Sequence, residues 1–158
     1  MLEPLTRADA KEMVHVLGDE RLYEFTGGHP PAVAELRERY ARWESRRSPD
    51  GSEEWLNWTV RRVDDRAAVG TVQATVTEGG RRAEVAWLIG AEWQGRSYAS
   101  EAARALVDWL ELRGVSVITA HIHPGHRASQ AVARHAGLVA TDALEDGEVV
   151  WQRSSLQR

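Results

Sequence analysis

The sequence predicts a single α/β domain spanning residues 1–158, built on a mixed sheet with helices on both faces. Three observations carry that prediction. A chain of 158 residues supplies one proper core and would cramp two. Three strand signals follow one another between residues 55 and 89. Beyond residue 98, helix-like and strand-like runs alternate, as in domains that cover both faces of a sheet.

The elements follow in order. Leu2 to Leu5 reads as a short strand, and Thr6 as a helix cap with Asp9 three positions on. Ala8 to Leu17 sets Met13, Val14 and Leu17 at helical spacing, with Gly18 as the stop. Tyr23 to Pro30 is a loop rich in glycine and aromatics. Pro31 suits the first position of a second helix, which runs to about Arg46 with Val33, Leu36, Tyr40 and Trp43 in one stripe. Ser48 to Glu53 is a polar loop. Trp55 to Val63 and Ala67 to Thr77 alternate apolar and polar residues, and Glu84 to Ile89 is apolar on both faces like a central strand. Asp64-Asp65 and Gly79-Gly80 are the turns between them. Ser100 to Arg113 is a helix stopped by Gly114, and Val115 to Ile122 a buried strand. Ala128 to His135 is a helix closed by Gly137, and Glu148 to Arg153 a last strand, with another candidate at Leu138 to Ala140. Trp58, Trp87 and Trp109 fall on predicted buried faces.

Composition narrows the chemistry. With no cysteine, disulfides, thiolate-bound zinc and a thiol nucleophile are excluded. A net charge of −4 argues against general nucleic-acid binding, which wants a basic face. No run approaches the ~20 apolar residues of a membrane span, and no signal pattern opens the chain, so a cytoplasmic protein away from membranes is expected.

The most informative stretch is Trp93-Gln94-Gly95-Arg96-Ser97-Tyr98-Ala99-Ser100-Glu101-Ala102, between a strand and a helix. Such a turn leaves backbone N–H groups free at a helix N-terminus, where the dipole adds positive potential, and that combination binds phosphate. The competing reading is an ordinary strand-to-helix connection.

Together with the element order, these residues resemble the GNAT superfamily of acyl-CoA-dependent N-acetyltransferases, and within it the ribosomal-protein N-terminal acetyltransferase branch. Gln94-Gly95-Arg96-Ser97-Tyr98-Ala99 is similar to the cofactor motif Arg/Gln-x-x-Gly-x-Gly/Ala. Pro124-Gly125-His126-Arg127-Ala128-Ser129, followed by Ala136-Gly137-Leu138, stands where the family has Pro-x-Asn-x-x-Ser and Gly-Phe or Gly-Leu. Two residues depart from the pattern. Ser97 occupies the central glycine position, where a serine serves if its φ is negative. His126 replaces the usual asparagine.

The resemblance implies a largely antiparallel mixed sheet with a splayed central strand pair, one strand ending near Ile89 and the other being Val115 to Ile122. It implies acetyl-CoA as co-substrate, with pantetheine along Trp87, Leu88 and Ile89. The pyrophosphate is expected on Gln94, Gly95, Arg96, Ser97, Tyr98 and Ala99, with Glu101 facing away, and His126 is expected beside the cofactor. The activity implied is acetyl transfer to a small-molecule or peptide amine by direct attack in a ternary complex. A non-catalytic acyl-CoA-binding module is the alternative.

Glu84 is the candidate general base, since a carboxylate on a largely apolar strand has a raised pKa suited to taking a proton near neutrality. Its competing reading is a solvent-facing residue paired with Arg81 or Arg82. Alternation puts Glu84 on the face of Ala86 and Leu88, although the family's usual bulge in this strand obscures the facing. Ser129 is expected near the cofactor sulfur, or else as a helix N-terminal residue satisfying backbone N–H groups. The tyrosine that many superfamily members place one turn later falls at Ala133. Tyr23, Phe25 and His29 belong to the loop where the family builds its acceptor pocket; a plain helix connection is the alternative. His121, His123 and His126 form a His-x-His-x-x-His pattern, but without a carboxylate at a defensible spacing no metal is assigned. Exposed tryptophans and a terminal edge strand make a homodimer plausible.

Overall fold

The computed structural model describes residues 1–155. Its seven strands form one sheet: β1 (Leu2–Pro4), β2 (Glu54–Arg61), β3 (Ala68–Thr77), β4 (Arg82–Ile89), β5 (Val117–Ile122), β6 (Val139–Glu145) and β7 (Glu148–Ser154). The spatial order is β1-β2-β3-β4-β5-β7-β6. Every neighbouring pair is antiparallel except β4 with β5. Four helices complete the fold: α1 (Ala10–Val16), α2 (Val33–Trp43), α3 (Tyr98–Leu112) and α4 (Arg127–His135).

Strand alternation sorts the side chains between two layers. Ala68 joins the core under α1 and α2 with Met13, Leu36 and Tyr40. Its neighbour Val69 joins the core under α3 and α4 with Leu106, Leu110 and Ala133. Adjacent strand residues point to opposite faces, so these two clusters lie on opposite sides of the sheet. Asp9 ties the α1 side to β2. Its carboxylate accepts from the Thr6 N–H at 2.9 Å, from Thr59 Oγ1 at 3.2 Å and from Arg61 Nη2 at 3.0 Å.

Several boundaries differ from the sequence reading. α2 begins at Val33 with Ala32 as its cap, so Pro31 lies outside it, and it ends at Trp43 rather than near Arg46. α3 begins at Tyr98, two residues earlier than expected. The strand suggested at Leu138 to Ala140 is the start of β6. The last strand, β7, runs between β5 and β6 and is therefore not an edge. Long-range pairing decides that, and a local pattern does not encode it. Trp109 is 40% exposed rather than buried, its ring edge-on to Trp58 and covered by the Arg113 guanidinium.

The feature that positions the site is the parting of β4 from β5. Their parallel register holds for Arg82↔Val117, Ala83↔Ile118 and Glu84↔Thr119 and goes no further, although both strands continue. Among the described residues, no helix is long and apolar enough to cross a membrane.

Candidate active site

The gap between the diverging strands is a cleft of about 110 Å³, with Ala86, Trp87 and Leu88 on the β4 side and His121 and His123 on the other. Phe25 and Ser129 contribute from the loop before α2 and from α4. The backbone of β4 addresses this gap in a regular way. Pairing with β3 runs from Gly70↔Ile89 to Thr77↔Arg82 without a register break, so the bulge usual in the family is absent here. The Gly90 N–H bonds Val69 and the Arg81 carbonyl accepts from Val117. Even-numbered residues of β4 therefore turn their backbone to β3 and odd-numbered ones to β5. Beyond the last β5 pair, Trp87 and Ile89 present their backbone edge to the cleft. Leu88 spends its backbone on β3 and offers only its side chain.

At the far end of β4, the turn forms a concave donor surface. The φ angles are +77° at Gly95 and +66° at Ser97, with Arg96 between them at negative φ. Alternation of this kind turns successive N–H groups to one side, the geometry of an anion-binding nest. Among the described residues, no N–H from Gly95 to Ser100 meets an acceptor, while Glu101 donates to the Ser97 carbonyl at 3.0 Å. The expectation of negative φ at Ser97 is thus corrected. The residue caps α3 in the left-handed region, at a cost of about 1 kcal/mol for a residue with a Cβ. A side chain at Gly95 would meet nothing within 4 Å, leaving the approach to the nest open.

Cationic groups sit beside it. Trp93 packs against α3, and the guanidinium carbons of Arg62 and Arg96 stand 5.1 and 5.4 Å from its ring centroid. Tyr98 meets the same indole edge-on at 6.3 Å. Glu101 is exposed in the first turn of α3. Gln94 does not point outward as a ligand; its Nε2 donates to the Ile89 carbonyl at 3.0 Å. Arg62 was invisible in sequence, since the strand ladder alone brings it across from residue 93.

Glu84 lies where β4 and β5 part, on the face shared with Ala86 and Leu88, as alternation predicts. Its partner is neither Arg81 nor Arg82 but His121, whose Nδ1 is 2.7 Å from Glu84 Oε1. The Glu84 side chain is 54% exposed. The apolar enclosure expected around it is therefore missing, because a strand residue on an uncovered sheet face meets solvent.

Ser129 is half-buried in the first turn of α4, its Oγ 3.4 Å from His126 Nε2. His126 precedes that helix and stacks on Phe25 with ring centroids 4.5 Å apart and planes 12° from parallel. Burial first, and then the charge of His123, push the His126 imidazole below its ordinary value of 6.5, with Glu24 opposing. His123 Nδ1 accepts from the Gly125 N–H at 2.9 Å. Among the described residues, no three His, Cys, Asp or Glu side chains are grouped to hold a metal ion. Ala133, where a tyrosine would stand, is wholly buried.

Of the three loop residues, the structure brings only Phe25 to the cleft. Tyr23 turns inward, donating its hydroxyl to the Leu17 carbonyl at 2.9 Å, and burial pushes its phenol up. His29 is exposed, with Nδ1 3.2 Å from the Pro30 carbonyl. Leu22 and Thr26, which line the cleft, carried no chemical signal in sequence.

Comparison with known proteins agrees with this architecture. The acetyltransferase (GNAT) domain family matches residues 1–139. No curated protein matches the sequence. Aminoglycoside acetyltransferase AAC(6')-Ib, solved with paromomycin and acetyl-CoA, has a TM-score of 0.80 at 17% identity, over 99% of this chain and 93% of that one. Spermidine N-acetyltransferase from Vibrio cholerae, solved with CoA and spermine, has a TM-score of 0.76 at 18% identity, over 96% and 92%. A GNAT-family acetyltransferase from Bacillus anthracis gives 0.78 at 15%, over 97% and 93%. At these identities the structural likeness speaks for the fold, and the family match over most of the chain speaks for membership. The chain belongs to the GNAT acetyltransferase family.

Proposed function

We propose that this chain transfers the acetyl group of acetyl-CoA to a primary amine, by direct attack in a ternary complex. The observation that carries the reading is continuity. A cleft with open strand edge at Trp87 and at the Ile89 N–H leads to a nest of unpaired N–H groups flanked by Arg96. The donor chemistry fits the ligand: a pyrophosphate needs several converging N–H groups and nearby positive charge, and pantetheine needs an open strand edge. When bound, acetyl-CoA supplies an acyl group activated as a thioester.

The residues divide the remaining work. Gly95 to Ala99 and Arg96 hold the pyrophosphate, with Gln94 fixing the turn. Phe25, Leu88 and His126 wall the acyl end of the cleft. Glu84 takes a proton from the incoming ammonium through the carboxylate oxygen not engaged by His121. Ser129 donates its hydroxyl hydrogen toward the departing sulfur. With no cysteine in the chain, an acyl-cysteine route is closed, and positioning the amine against the thioester is the main source of rate.

The acceptor is an amine of either of two kinds. The motifs resemble enzymes that acetylate protein N-termini, whereas proteins of like fold are solved with aminoglycosides and spermine. A cytoplasmic location and a homodimer belong to the same reading; its edges would be β1 and β6.

Calorimetric titration with acetyl-CoA, and thiol release across kanamycin, spermine and short peptides, tests the reading. Saturable binding with acceptor-dependent release supports it. No binding at millimolar acetyl-CoA would sink it, and binding without release for any amine would favour the non-catalytic module. Glu84→Gln should lower kcat by on the order of 100-fold with little change in acetyl-CoA affinity.

A further inference from the structure

His121 is held at both ring nitrogens by carboxylates from different strands. Nδ1 is 2.7 Å from Glu84 Oε1 on β4, and Nε2 is 3.0 Å from Glu145 Oε2 at the end of β6. The imidazole is 22% exposed and lines the cleft, while Glu145 is 63% exposed. An ionised carboxylate only accepts, and a neutral imidazole carries one N–H. Both bonds can be made to two carboxylates only when both ring nitrogens carry protons. When both nitrogens carry protons, the ring bridges the two carboxylates at the place where β4 and β5 come apart.

We propose that His121 is the positioning residue for Glu84. The inference rests on the reading of Glu84 as the base. A glutamate on an uncovered sheet face has three free side-chain torsions and no packing to choose among them. The Nδ1–H bond selects one arrangement, engages Oε1, and leaves Oε2 to accept the ammonium proton. In that step the substrate N–H bond breaks and the Glu84 O–H bond forms; half-exposed Glu84 then returns the proton to water, so His121 itself transfers none. Glu145 keeps the ring from turning away. The other ionisable groups at this cleft are Glu148 on β7, His123 just past β5 and His126 before α4; none of them is bonded to the His121 ring, and Val150 is its register partner on β7.

The test combines spectroscopy and a double-mutant cycle. In NMR of histidine-labelled protein at acid pH, His121 should show two protected ring N–H signals. Glu84→Ala should remove the Nδ1 signal alone and Glu145→Ala the Nε2 signal alone. With acetyl-CoA and the best acceptor among kanamycin, spermine and peptides, His121→Ala should lower kcat about tenfold, well inside the general-base contribution, at unchanged KM for acetyl-CoA. His121→Gln, which keeps one donor, should recover part of that loss. Combined with Glu84→Gln, His121→Ala should cost nothing more, because its effect passes through Glu84. A single unprotected ring N–H, or multiplicative losses in the double variant, would overturn the proposal. Full turnover in Glu84→Gln alone would instead sink the base reading beneath it.

Discussion

Gln94 Nε2 donates to the Ile89 carbonyl at 3.0 Å, tying the turn back to the strand it leaves. The bond occupies a carbonyl on the cleft-facing edge of β4 and holds the nest at a set distance from that edge. Cofactor affinity then depends on a residue that need not touch the cofactor. Gln94→Ala should weaken acetyl-CoA binding by about 1 kcal/mol, or roughly fivefold in Kd, with unchanged thermal stability. Calorimetry measures it; an unchanged Kd would reduce the bond to a bystander.

Ser97 carries the backbone strain of the same turn, at φ +66° and ψ 9°. Glycine adopts that region without the clash of a Cβ. Ser97→Gly should therefore raise Tm by about 2–4 °C, the response expected for about 1 kcal/mol in a chain of this size. Acetyl-CoA affinity should hold, because the N–H groups keep their directions. A lower Tm would mean that the hydroxyl stabilises the turn more than the strain costs.

In the proposed mechanism Ser129, whose Oγ is 3.4 Å from His126 Nε2, assists departure of the sulfur. Thiols are acidic enough to leave with limited help, so the effect is expected below the range usual for a general acid. Ser129→Ala should lower kcat by about tenfold with KM for the amine nearly unchanged. Equal kcat for the two forms would remove Ser129 from the chemistry.

His126 links stability to pH. Burial and the charge of His123 hold its folded-state value below the ordinary 6.5. As pH falls through 6.5, the unfolded chain takes up a proton that the folded chain still refuses. Stability contributed by this residue is therefore full above that value and is lost below it, levelling off once the folded ring protonates. Denaturation from pH 8 to 5 should show a steeper loss for the wild type than for His126→Asn. Parallel curves would contradict the shift.

The order and type of the elements were legible in the residues themselves, because periodicity of two or 3.6 and glycine stops are local properties. The turn from Gln94 to Ala99 was legible for the same reason, whereas the facing of Glu84 was settled only by the unbroken register of β4 with β3. Contacts that depend on which strands become neighbours were not. Glu84 meets His121 thirty-seven residues later, Arg62 reaches Trp93 through the sheet, and β7 inserts between β5 and β6. The sign of φ at Ser97 was also hidden, since serine by itself disfavours the region it occupies and only the surrounding turn holds it there. Sequence alone determined the family-like scaffold and the strand-to-helix turn proposed to bind phosphate. The tertiary structure decided how charge is arranged around the cleft, because burial and pairing between distant segments come into being only when the sheet closes.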